Sequence, residues 1–162
     1  MIALEKRKPH DALEIIRDTL QDCPTDSEWH ARFSLLLHRH LIWFNERNED
    51  ESWAYFEKSI RAFRTMKACC AATKLLIAVE GLKDIIGTKD AKKKLESFLQ
   101  RESDEKLFAM LILAHLLIEE GRYYVTAKKF LESLVESLAW ERDIDWKIVV
   151  YIELAEVKRM SG

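Results

Sequence analysis

Glycine and proline are scarce in this sequence, four and two in 162 residues. Strands joined by frequent tight turns need those residues at many positions, so a sandwich or barrel of short strands is excluded. A composition rich in Leu, Ile, Ala, Glu, Lys and Arg is instead that of an all-α protein. Cysteine is also sparse: three residues, two of them adjacent at Cys69 and Cys70, an odd count without disulfide-framework spacing. Neighbours on a helix point apart, so these thiols are expected to be reduced and to serve as small core fillers. No charge of one sign prevails, with 26 basic against 28 acidic side chains, and no global field draws the chain toward nucleic acid or anionic lipid. Long apolar runs are missing too. The longest, FAMLILAHLLI at residues 108–118, falls short of the roughly 18 residues of a membrane span. Residues 1–20 carry Glu5, Lys6, Arg7, Lys8, His10 and Asp11 rather than the apolar core of a secretory signal. The expectation is an intracellular protein, cytoplasmic or nuclear, that engages neither membrane nor nucleic acid.

Motifs of chemistry are absent as well. There is no glycine-rich phosphate cradle, no nucleophile elbow and no CxxC. His30, His38 and His40 are a poor metal set, since residues eight apart on a helix lie more than two turns apart and His38 and His40 face different sides. They are read as surface or groove histidines. Neither an enzyme nor a cofactor or metal protein is expected.

What is present is helical periodicity, in eight segments separated by short polar breaks. Pro9 suits a first helical turn, and Ala12, Leu13, Ile16 and Leu20 follow it up to an end near Cys23 and Pro24. Asp26 or Ser27 caps a long second helix reaching about residue 47. A third covers ESWAYFEKSIRAF, a fourth runs from about Met66 to Ile86, and a fifth starts after Gly87 at TKDAKKKLESFL. Ser103 and Asp104 cap a sixth that Gly121 ends, a seventh runs from Arg122 to about Trp140, and DWKIVVYIELAEVKRM forms the eighth. Short breaks fold each helix back on its predecessor, and no linker of more than about five residues appears. Residues 1–162 are therefore read as a single domain.

The spacing of small and large residues recurs from segment to segment. Gly121 and Tyr123 precede Thr126, Phe130, Ser133 and Leu134, and the helix before supplies Met110, Leu113, Ala114 and Leu117. Ala12, Ile16, Thr19, Leu20 and Pro24 reproduce the second-helix half, as do Ser52, Phe56, Ser59 and Ile60, and more weakly Ala91, Leu95, Phe98 and Leu99. In this the chain resembles the tetratricopeptide-repeat family along nearly its whole length, as a degenerate variant with longer helices. The stretch LILAHLLIEEGRYYVTAKKFLES also looks like the helical part of a PCI-type or proteasome-lid subunit. The resemblance implies a right-handed superhelical array of antiparallel helix pairs, about seven to eight helices. It also implies a scaffold or adaptor whose groove takes a peptide or partner helix inside a larger complex.

Transferring that groove onto this sequence places Leu111 and His115 where the family's carboxylate clamp lies, with Thr73 and Glu80 on the fourth helix. None of these is the Lys, Arg or Asn of the clamp, so capture of an acidic chain terminus is not expected. The candidate partner-binding residues are His38, Glu80, Lys83, Leu111, His115, Glu119, Trp146 and Tyr151. A regulatory alternative takes a small or phosphorylated ligand on the basic run Lys89, Lys92, Lys93 and Lys94, although Asp84, Asp90 and Glu96 are interleaved with it. In the last helix Ile144, Ile148, Val149, Tyr151, Ile152 and Ala155 spread over more than one face. From this the terminal helices are expected to dock a second subunit, as a homo- or hetero-oligomer, or to continue a longer repeat. The alternative is a final helix that lies in the groove and caps its own array.

Overall fold

The computed structural model describes residues 9–44, 49–67, 70–137 and 144–161, and 84% of the described residues are helical. Among the described residues there is no strand, and eight helices follow one another: α1 (Pro9–Gln21), α2 (Glu28–Phe44), α3 (Glu49–Thr65), α4 (Ala71–Ile85), α5 (Thr88–Phe98), α6 (Lys106–Glu120), α7 (Tyr124–Ser137) and α8 (Ile144–Met160). The chain is thus all-α. It divides into two units, Met1–Lys67 and Ala68–Gly162, a division that the sequence does not announce with any linker.

Local chemistry sets the helix ends. The Ser27 hydroxyl accepts the backbone N–H of His30 at 3.1 Å and so caps the first turn of α2. Gly87 stands at φ 93° and ψ 149°, a conformation nearly restricted to glycine, and its N–H returns to the Leu82 and Lys83 carbonyls to close α4. Gly121, left-handed at φ 75°, closes α6 on the Ile118 carbonyl. The sixth helix starts later than expected, with Glu105 rather than Ser103 or Asp104 at its N-cap. The Ser103 hydroxyl accepts the Glu105 N–H in a turn that precedes α6, which begins at Lys106.

In the first unit, α2 packs against both α1 and α3. Leu13, Ile16 and Leu20 of α1 meet Leu37 and Leu41 of α2, with Phe33, Leu36 and Tyr55 at the margin. Arg17 reaches Glu51 at 2.7 Å to tie α1 to α3. On α3, Ser52, Phe56, Ser59 and Ile60 are all buried.

The second unit is organised around α6, whose residues Phe108, Ala109, Leu111, Ile112, Leu113, Ala114, Leu116, Leu117 and Ile118 are buried. A helix apolar on every side needs cover on every side. Helices α4, α5, α7 and α8 all pack on it, and α8 also reaches α4. That last contact joins helices four apart in the order and goes beyond the neighbour-to-neighbour packing expected of an open array.

Three details differ from the sequence reading. The helix expected from Met66 begins at Ala71, because α3 continues to Thr65 and Met66 is buried beyond its end. At 15 residues it is shorter than α3, which has 17, and longer than α5, which has 11. In α7 the buried positions are Ala127, Leu131 and Leu134, whereas Thr126 and Ser133 are exposed. The repeat frame placed there is one residue early. Cys70 is exposed at the start of α4 and is not a core filler. The expected ends of the second and seventh helices, at residues 45–47 and 138–140, lie outside the described residues, as does Cys69.

Candidate interaction surface

The sequence-predicted partner residues separate into three groups. His38 and Leu111 are corrections: both are in the core, 0% and 2% exposed. His38 packs against the rings of Trp53 and Phe56, at 5.2 and 5.0 Å, and those two rings are 5.4 Å apart. Its Nδ1 lies 2.8 Å from the Ser52 carbonyl oxygen, which can only accept, so Nδ1 carries the proton and donates. The Ser52 hydroxyl donates in return to the His38 carbonyl at 3.1 Å. This reciprocal pair locks α2 to α3 through polar groups that burial would otherwise penalise. A polar residue on an amphipathic helix gives no sign in the sequence that a facing serine will pair with it.

Glu80, Lys83, His115 and Glu119 form the second group, and the structure does bring them together. Lys83 of α4 is paired with Glu119 of α6, and Glu80 lies 3.8 Å from the same ammonium. His115 Nε2 is 3.2 Å from Glu119 Oε1, and its Nδ1 is 2.8 Å from Glu153 Oε1 on α8. Burial works against the charged ring of His115, but hydrogen bonds and the charges of Glu153 and Glu119 outweigh it and hold its pKa above the ordinary value. Glu119 is shifted the other way. Its burial is outweighed by Lys83 and His115, and its carboxyl lies below the usual range. These side chains satisfy one another across α4, α6 and α8. They brace the unit more than they offer a free recognition surface.

Beside the brace lies a cleft of about 540 Å³ lined by Lys83, Lys89, Lys92, Glu119, Glu120 and Tyr123. Lys92 is paired with Glu120 and lies 5.7 Å from the centre of the Tyr123 ring. An anion entering here would compete with Glu119 and Glu120 for their lysines, which weakens the phosphate-binding alternative. Among the described residues no group of three His, Cys, Asp or Glu side chains is placed to hold a metal ion. No described helix is long and apolar enough to cross a membrane.

The third group is on α8. Val149, Val150, Leu154 and Val157 are buried against the unit, and Trp146 packs its ring on Phe108 with centroids 5.0 Å apart. The opposite side is also apolar. Ile144, Ile148, Tyr151 and Ile152 are 59%, 51%, 48% and 59% exposed. Large aliphatic side chains grouped on one exposed helix face are the usual mark of an interaction site. Of the sequence-stated candidates, Tyr151 belongs to this face and Trp146 is turned inward. Ile144, Ile148 and Ile152 were legible only as apolar residues in excess of one face. In the first unit Trp29 is exposed on α2 beside Phe33, a second apolar spot of smaller extent.

Comparison with protein-family models, with curated proteins and with solved structures finds no match. The geometry therefore carries the functional reading alone.

Proposed function

We propose that this chain is a protein-interaction scaffold or adaptor that binds a partner helix or extended peptide as part of a larger intracellular complex. In this reading it is a degenerate, long-helix relative of the tetratricopeptide arrays, and it is not an enzyme. The observation that carries the proposal is the exposed apolar face of α8, formed by Ile144, Ile148, Tyr151 and Ile152 on a helix whose other side is already packed. A helix apolar on two sides buries the second against something else, because leaving it in water forgoes about 25 cal/mol for each Å² of apolar surface.

The partner fitted by such a face is an amphipathic helix or an apolar extended segment rather than a charged tail. Of the lysines lining the cleft, Lys83 and Lys92 are engaged with Glu119 and Glu120. Affinity purification of the tagged chain, followed by reconstitution with the purified partner, tests this. The expected result is a complex that Tyr151→Glu abolishes with helical content unchanged. A partner that binds wild type and Tyr151→Glu equally would remove α8 from the interface and the proposal with it.

A further inference from the structure

We propose that the occupant of the α8 face is the α8 of a second copy of this chain, the two helices running parallel about a two-fold axis. The inference rests on the reading of α8 as an interaction surface and adds the partner and its orientation. Residues advance about 100° around a helix, so Ile144, Ile148, Tyr151, Ile152 and Ala155 lie within about 60° of Ile148. Val150, Leu154 and Val157 point the opposite way and are buried. The edges of the stripe differ in sign. Asp145 and Glu156 flank it on one side, and Lys147 and Lys158 flank it on the other.

That asymmetry selects an arrangement. When two copies of a helix pair in parallel about a shared two-fold axis, the left edge of one faces the right edge of the other, as in the flanking positions of parallel coiled coils. The acidic edge then meets the basic edge on both sides. An antiparallel pair sets like edges together, acid against acid and lysine against lysine. Arg159, at the C-terminal end of the stripe, is held against Glu156 through both its Nε and a terminal nitrogen, at 3.1 and 2.7 Å. It closes the apolar run there. The stripe also suits knobs of mixed size, with Ile148 and Tyr151 beside the small Ala155. The stripe, from Ile144 to Ala155, spans 12 residues of a 17-residue helix, and a single pair of such faces makes an interface at the low end of the size range for specific association. The dimer should be reversible and dependent on concentration.

Sedimentation equilibrium of the purified chain between about 1 and 300 µM spans the range in which an association of micromolar strength populates both states. The mass is expected to rise from 19.1 kDa toward twice that value, and Ile148→Glu should hold it at the monomer with unchanged circular dichroism. Two charge variants test the edges. Lys147→Glu with Lys158→Glu, and Asp145→Lys with Glu156→Lys, should each remain monomeric alone and associate when mixed. Orientation is read from Ala155→Cys, whose introduced thiols meet in a parallel pair and form an intermolecular disulfide between like positions, identifiable by peptide mapping. A chain that stays monomeric, a dimer indifferent to Ile148→Glu, or an antiparallel cross-link pattern overturns the inference. The first of these, together with a helical partner bound at Tyr151, would sink only the second copy and leave the scaffold reading standing. Failure of both would remove both.

Discussion

His115 and Glu153 stand 2.8 Å apart, Nδ1 to Oε1, and join α6 to α8. Behind the ring, Glu119 occupies the other nitrogen and Lys83 occupies Glu119. The anchoring of the helix that carries the apolar stripe is therefore electrostatic on one edge and apolar beneath.

The brace should make stability depend on pH. His115 has a folded pKa above its ordinary 6.5. Its contribution is complete below 6.5 and is lost as pH rises through the raised value. Glu119 has a folded pKa below its ordinary 4.5, so its contribution is complete above 4.5 and is lost as pH falls through the depressed value. Denaturant midpoints should show a stability difference between wild type and His115→Gln that is largest between these limits and shrinks as pH rises from 6.5 through the raised value. A difference that grows with pH would contradict the geometry.

Register in α7 can be tested with neighbouring substitutions. Thr126 is exposed and Ala127 is fully buried. Thr126→Leu should change stability by less than about 0.5 kcal/mol, whereas Ala127→Leu overpacks the buried side of α7 and should cost about 1–3 kcal/mol. Ala114→Leu, on the α6 side and equally buried, should cost a similar amount. Urea denaturation measures all three.

Gly87 isolates a conformational cost. A Cβ at this position meets nothing within 4 Å, yet φ is +93°. Gly87→Ala should therefore lower stability by about 1–3 kcal/mol without any steric clash. Little loss in thermal unfolding would mean that the α4–α5 turn relaxes to another form.

Cys70 is exposed, and the Thr73 hydroxyl, 3.2 Å from its sulfur, lowers its pKa. Alkylation at neutral pH should modify it roughly tenfold faster than half-buried Cys23, and Thr73→Val should slow the reaction. Peptide mass mapping over time distinguishes the sites.

Much of the fold could be read from the chain, since eight helical segments and the breaks at Gly87 and Gly121 follow from residues that act on their own backbone. Periodicity also marked α8 as carrying more apolar residues than one packed side requires. It did not decide which residue of a neighbouring pair faces inward, because adjacent helical positions differ by only about 100° and the docking helix selects between them. In α7 the frame containing Thr126 reads as well as the one containing Ala127, until packing buries the latter and leaves the former exposed. His38 and Leu111 looked available on an isolated helix. The rings of Trp53 and Phe56, the Ser52 carbonyl and the helices around α6 put them in the core. The charges of Lys83, His115 and Glu119 are visible in the sequence, but their mutual satisfaction is not, since the partners lie on three helices and only tertiary packing brings them within bonding distance.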